Sequence, residues 1–182
     1  MSENSDEENE ELIKYSGLYG GITQDSKNWD DFEEMGEKEL LKHKIVKITI
    51  YTGNYSEKQA IFGFSCVFKN LFTGEIKKEK EHKGTEQFVD VKEFEIKDDE
   101  YLTGFHIRFQ DGADYITQLG FSTSEKRNFI VGTEEGKEKK VTLQGEDNII
   151  VGTFGCINKI LDAMGVLFVS KEEFLKRKVS SS

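Results

Sequence analysis

The sequence contains no proline and only two cysteines among its 182 residues. Cys66 and Cys156 are 90 residues apart, which excludes a dense disulfide framework and provides no closely spaced pair of zinc ligands. The simplest interpretation is that both thiols are reduced and buried in a cytosolic protein; one disulfide between them is the alternative. The three histidines are equally scattered, so we expect no metal ion and no other cofactor.

Long apolar segments are also missing. The amino end is acidic and has no apolar core, so it predicts no secretory signal. The longest apolar-rich run without a charge, residues 60–68, is too short to cross a bilayer as a helix. These absences predict a cytoplasmic protein without a membrane span.

Basic residues are in deficit, with 25 against 35 acids and a net charge of −10. The first eleven residues include no base, and their acids are Glu3, Asp6, Glu7, Glu8, Glu10 and Glu11. Nucleic acids and anionic membranes are themselves negative, so this balance argues against both as partners. We interpret residues 1–13 as an acidic tail, residues 14–170 as one domain and residues 171–182 as a charged extension.

Between these ends the sequence is rich in short β-like segments. Residues 45–51 are rich in β-branched side chains and predict a strand, and residues 52–54 predict the turn after it. Further strands are predicted at residues 60–68, 75–80, 88–96, 101–109, 115–123, 141–143, 149–155 and 163–169. Residues 33–44 predict one short helix, and a capping-box pattern predicts a second over residues 171–178. Many short strands with little helix indicate a sandwich, a barrel or a prism.

Several short motifs follow one another in a recognisable order. They are residues 18–21 (LYGG), 29–31 (WDD), 45–50 (IVKITI), 100–104 (EYLTG), 116–123 (ITQLGFST), 150–155 (IVGTFG) and 160–166 (ILDAMGV). Their order resembles that of the jacalin-like (jacalin-related) lectin domain. The resemblance covers roughly residues 14–169. It implies an all-β fold, a β-prism of three four-stranded Greek-key sheets with pseudo-threefold symmetry, here with a short acidic N-terminal tail and a short C-terminal helix.

The resemblance also implies a function and a site. Such a domain is a non-catalytic carbohydrate-binding module, with a mannose- or galactose-type sugar held between two loops at one end of the prism. In such domains a Gly-x-x-x-Asp pattern supplies a carboxylate that accepts hydrogen bonds from sugar hydroxyls. Because the acceptor is charged, these hydrogen bonds are strong. Here Asn158 replaces the glycine and Asp162 is present. Asp162 is therefore the predicted sugar acceptor, and the backbone N–H groups of Lys159 and Ile160 are the predicted donors.

The opening loop is expected to form the other half of the site, with Gly21 and Gln24 as sugar contacts. After the glycine pair it continues with residues 22–25 (ITQD), where the family has further small residues, and residues 82–86 replace a glycine-rich loop. Asp162 has a second interpretation, as a turn residue that bonds its own loop backbone. Trp29 is expected to anchor the core or its rim.

These departures support an alternative function, a structural or interaction subunit of an intracellular protein assembly that keeps the fold without binding sugar. The oligomeric state is left open, with an oligomer among the options. No motif indicates catalysis: residues 132–137 place two acids where a phosphate loop would hold phosphate, and no nucleophile elbow is present. We therefore predict that the chain is not an enzyme and has no catalytic residue.

Overall fold

A computed structural model describes residues 11–78, 81–87, 90–109, 115–134, 136–141 and 147–179. Its strands are β1 (Lys14–Tyr15), β2 (Tyr19–Gly20), β3 (Lys27–Asp30), β4 (His43–Tyr55), β5 (Lys58–Asn70), β6 (Ile76–Lys78), β7 (His82–Lys83), β8 (Asp90–Glu95), β9 (Leu102–Phe109), β10 (Ile116–Thr123), β11 (Asn128–Gly132), β12 (Lys137–Val141), β13 (Asn148–Ile157) and β14 (Leu161–Ser170). Its helices are α1 (Asp31–Met35), α2 (Glu37–Leu40) and α3 (Lys171–Val179). Within the described ranges, no helix has the length and apolar character needed to cross a membrane.

The strands form three antiparallel sheets. The first has the order β1-β14-β13-β3, with β2 also on β14; the second has the order β6-β5-β4-β8, with β7 also on β5. The third has the order β11-β10-β9-β12. In the second and third sheets a later strand returns beside the first strand of a consecutive set, which is the Greek-key arrangement. The predicted β-prism is confirmed, with short extra strands added to two of its sheets.

The main core lies where the inner faces of the three sheets meet. The rings of Phe64 on β5 and Phe121 on β10 are stacked with centroids 5.8 Å apart, and Met164 on β14 joins the same cluster. Burying an aromatic side chain of this size contributes roughly 1.5–3 kcal/mol. Trp29 is buried in this cluster too, so its predicted role as an anchor is confirmed.

The hairpin of β4 and β5 corrects the turn predicted at residues 52–54. Those residues continue β4, and the chain reverses at Ser56 and Glu57, which have φ values of 49° and 67°. Successive left-handed residues suit a tight hairpin because their twist matches that of the strands. Gly53 has a packing role instead, since a Cβ there would lie 2.8 Å from the ring of Phe62.

The predicted helix within residues 33–44 is divided into α1 and α2 at Gly36, whose φ is 78°. Asp30 caps α1 by accepting from the backbone N–H of Phe32 and of Glu33, at 2.8 and 3.3 Å. The C-terminal helix is confirmed as α3, which buries Phe174. Strand β11 is an element that the sequence did not predict.

Strands β13 and β14 define two ends of the domain. Their connection, residues 158–160, lies at one end, which we call the loop end. Their other ends, where Asn148 pairs with Ser170, lead into α3 beside α2, and we call this the helix end. Ten strand residues separate the two ends by about 30 Å.

Candidate functional site

Three chain segments converge at the loop end: residues 20–26, residues 84–86 and the connection 158–160. The N–H groups of Thr85 and Glu86 donate to the carbonyls of Asn158 and Lys159, at 3.1 and 3.0 Å. From the other side, the N–H of Gly21 donates to the carbonyl of Asp162 at 3.2 Å. The pairing of β2 with β14 and of β3 with β13 brings the first segment here.

Two glycines make this close approach possible. Gly20 has a φ of 117°, and a Cβ there would lie 2.2 Å from the carbonyl oxygen of Asp162. A Cβ on Gly84 would lie 1.9 Å from the carbonyl oxygen of Lys159. Any other residue would force backbone segments apart, so these positions need glycine to keep the loops in contact.

The carboxylate of Asp162 lies at the centre of the loop end and is only 2% exposed. Ser26 Oγ donates to its Oδ2 at 2.5 Å, and Thr23 Oγ1 donates to the same oxygen at 3.2 Å. Asn158 Nδ2 in turn donates to Thr23 Oγ1 at 3.1 Å. A buried carboxylate must be hydrogen-bonded to be tolerated. We call Thr23 and Ser26 the hydroxyl pair, since their two side chains cover this acceptor.

The predicted site residues fall into two groups. Asp162, Asn158 and Gly21 belong to the network that joins the two loops. Lys159 and Gln24 are exposed on the same loops. The side chain of Ile160 points away from the surface and is buried with Phe62 and Tyr115, so only its backbone faces the loops.

Sequence reasoning missed the hydroxyl pair and Gly84. Thr23 and Ser26 are ordinary loop residues in the sequence, and nothing local marks them as partners of a residue more than a hundred positions away. The alternative interpretation of Asp162 involved its own loop backbone, whereas these two hydrogen bonds come from the opposite loop. In the part of the chain that the structure describes, no group of His, Cys, Asp and Glu is arranged to hold a metal ion.

A stacked aromatic pair supports the segment that carries Gly84. The rings of Trp29 and His82 lie 4.4 Å apart at an angle of 15°, and both residues are buried. Trp29 Nε1 also donates to Thr153 Oγ1 at 3.1 Å. Because Trp29 is fixed in this way, it holds His82, and hence Gly84, against the connection 158–160.

Cys156 lies beneath the loop end, where the charge of Asp162 affects the pKa of its thiol. Burial, followed by the negative charge of Asp162, raises the pKa of the Cys156 thiol from 9.0 to about 11. The protonated thiol is thus the form that the fold favours. Its contribution to stability is complete below about pH 9 and is lost as the pH rises towards 11.

We therefore expect Cys156 to resist alkylation in the folded protein at pH 8, because thiolate is the reactive form. Labelling followed by mass spectrometry in a Cys66→Ala background measures this, with the unfolded chain as the positive control. Asp162→Asn removes the neighbouring charge, so it should lower the pKa of Cys156 and speed labelling between pH 9 and 11. An unchanged labelling profile would contradict the coupling.

Comparison with known proteins shows which family this fold belongs to. The sequence profile of the jacalin-like lectin domain matches residues 16–167. A mannose-specific jacalin-related lectin from Morus nigra, solved with mannose, is 23% identical with a TM-score of 0.66, covering 87% of this chain and 95% of that one. A mannose-binding jacalin-related lectin from Ananas comosus is 18% identical with a TM-score of 0.66, covering 87% and 98%. No curated protein sequence matches this chain. The chain belongs to the jacalin-like lectin domain family.

Proposed function

We propose that the protein is a carbohydrate-binding domain whose site is the loop end, with Asp162 as the hydroxyl acceptor. The observation that carries the proposal is that Asp162 Oδ2 already accepts hydrogen bonds from two hydroxyl groups, those of Ser26 and Thr23. A monosaccharide presents neighbouring hydroxyls of the same chemistry. A charged acceptor binds them more strongly than a neutral one.

The family supports this class of function. Jacalin-like lectin domains are non-catalytic carbohydrate-binding domains, in agreement with the prediction that the chain is not an enzyme. The lectins from Morus nigra and Ananas comosus are described as mannose-specific and mannose-binding, so mannosides are the first ligands to test and galactosides the second.

Recognition at this site would be an exchange of hydroxyl groups. Sugar hydroxyls would replace the hydroxyl pair at Asp162 Oδ2, while the backbone N–H groups of Lys159 and Ile160 donate to the sugar from the connection. Gly21 and Gln24 would contact it from the opposite loop. Few hydrogen bonds are gained and two are lost, so each site should bind weakly. Useful avidity would then require a multivalent glycan or an oligomer of the protein.

The test is a glycan array with calorimetry on mannosides and galactosides, comparing the wild type with Asp162→Asn. The asparagine keeps the shape of the side chain but removes its charge. In the Thr23→Ala/Ser26→Ala background, where neither hydroxyl competes for Oδ2, a hydrogen bond to a charged group is worth about 1.5–3 kcal/mol, so Asp162→Asn should lower affinity at least about tenfold. In the wild type the same substitution also weakens the bonds of the hydroxyl pair, so the fall should be smaller. Glycan binding that is equal in both proteins would refute the role of Asp162.

Asp31→Asn is a matched control. Asp31 is also 2% exposed and also accepts from a threonine, Thr153, through its N–H at 2.7 Å and its Oγ1 at 3.2 Å. It contacts β13 away from the connection 158–160. The two substitutions should cost comparable stability, whereas only Asp162→Asn should reduce sugar binding.

A second candidate function is protein interaction without sugar binding. The observation that favours it is the cover over Asp162, together with Ile22, which is 66% exposed on the same loop. The hydroxyl pair occupies the acceptor that a sugar would need, while Ile22 leaves an apolar side chain on the same loop for another protein to contact. It becomes the preferred function if neither the wild type nor a variant without the hydroxyl pair binds any glycan. A cytoplasmic location, an oligomer and an intracellular assembly as partner stay predictions.

A further inference from the structure

A second candidate site lies at the helix end, remote from Asp162. It is a cleft of about 420 Å³ between α2, the turn that follows β5, and α3. Its lining residues are Lys38, Leu41, Lys42, Asn70, Phe72, Thr73 and Arg177. The three charged side chains among them are basic, and one of them, Lys42, is already paired with Glu39, in a protein whose net charge is −10. This local reversal of charge indicates an anionic ligand.

The cleft combines this charge with apolar surface. Leu41 is buried, and Phe72 is 40% exposed although it is a large aromatic residue. Asn70 Oδ1 accepts from the N–H groups of Phe72 and Thr73, at 2.9 and 3.0 Å, which fixes the turn on this side. Lys42 is held in a 2.9 Å ion pair with Glu39. The cleft is therefore preformed and suits an acidic peptide better than a simple anion.

An acidic segment of the same chain joins the folded domain beside this cleft. The N–H of Leu12 donates to Glu37 Oε2 at 3.2 Å, and Ile13 is buried in a cluster with Leu41. Glu37 immediately precedes Lys38 in α2. The chain before Leu12 thus starts at the edge of the basic cleft. Eleven residues can span at most about 36–40 Å, which is ample to cross the cleft.

We propose that the acidic segment preceding Leu12 binds in this cleft, with its carboxylates against Lys38, Lys42 and Arg177. The segment has six acids and no base in residues 1–11. Exposed ion pairs are individually weak, but a short tether keeps the segment at an effective concentration in the millimolar range. Binding would cover Phe72 and neutralise the basic side chains that line the cleft. It does not depend on the function proposed for the loop end.

Paramagnetic relaxation enhancement tests the proposal on the full chain. A spin label is attached to Ser5→Cys, and the amide signals of Leu41 and Phe72 are observed by NMR. These signals should broaden at low salt. They should recover in Lys38→Glu/Arg177→Glu, and also at about 1 M salt, where the Debye length is only about 3 Å. The matched control, Lys27→Glu/Lys159→Glu, reverses two exposed charges at the loop end and should leave the broadening unchanged.

Two results would overturn the proposal. The first is an absence of broadening in the spin-labelled protein with an unchanged cleft. Broadening that is the same in Lys38→Glu/Arg177→Glu counts equally, provided that the spectrum of this variant shows an intact fold. The second is broadening in an isotope-labelled copy without a spin label when it is mixed with spin-labelled protein. That result would place the segment on a second copy of the chain and not on its own cleft.

Discussion

Gly84→Ala is expected to lower the free energy of unfolding by about 3–5 kcal/mol and to separate the loops that form the proposed sugar site. The added Cβ would lie 1.9 Å from the carbonyl oxygen of Lys159 and 2.7 Å from the nitrogen of Ile160. Both are backbone atoms, so no side-chain rotation can relieve the overlap. The estimate joins an overpacking cost of about 1–3 kcal/mol to the loss of two backbone hydrogen bonds at about 1 kcal/mol each.

Denaturant unfolding measures this effect, and Gly74→Ala is its control. Gly74 has a φ of 73°, and nothing lies within 4 Å of a Cβ built on it. Its substitution therefore pays only for the left-handed backbone, about 1 kcal/mol. If Gly84→Ala costs no more than Gly74→Ala, residues 84–86 are not packed tightly on the connection 158–160. If glycan binding also survives in Gly84→Ala, that contact is not needed for the site.

Removal of the hydroxyl pair, in Thr23→Ala/Ser26→Ala, is expected to strengthen sugar binding at least about tenfold. If sugar binds as proposed, it must displace both hydroxyls of the wild type from Asp162 Oδ2. Each displaced hydrogen bond to the carboxylate is worth about 1.5–3 kcal/mol. In the double variant, sugar hydroxyls can donate to Asp162 Oδ2 without first displacing these two groups. The same loss should make the sugar-free variant about 3–6 kcal/mol less stable than the wild type.

Calorimetry with mannosides and thermal unfolding with and without sugar measure the two parts of this prediction. Sugar should raise the melting temperature of the double variant more than that of the wild type, because at a given sugar concentration a tighter-binding ligand stabilises the folded state more. Thr23→Ser keeps a hydroxyl in place and should behave like the wild type. A double variant that is destabilised but binds no glycan would contradict the proposed site and favour the protein-interaction function.

Local sequence patterns predicted the elements that depend on neighbouring residues. The capping box before α3 satisfies helix N–H groups within a few residues, so it could be read directly. Gly53 could not, because a glycine can serve either a turn or a close contact. The contact that decides between them is made by Phe62, on the partner strand. Gly36 was similarly hidden inside an apparently continuous helical segment.

The all-β prism, the family and the acidic character of the amino end could all be predicted from the amino-acid sequence, since motif order, strand periodicity and charge are properties of the chain. The sequence also identified Asp162 and Asn158 as the centre of the candidate site. The hydroxyl pair over Asp162 and the basic cleft beside Leu12 became visible only in the folded chain. Ser26 and Asp162 are 136 residues apart, and strand pairing alone makes them neighbours. Such contacts arise from non-local packing, for which a single sequence carries no local signal.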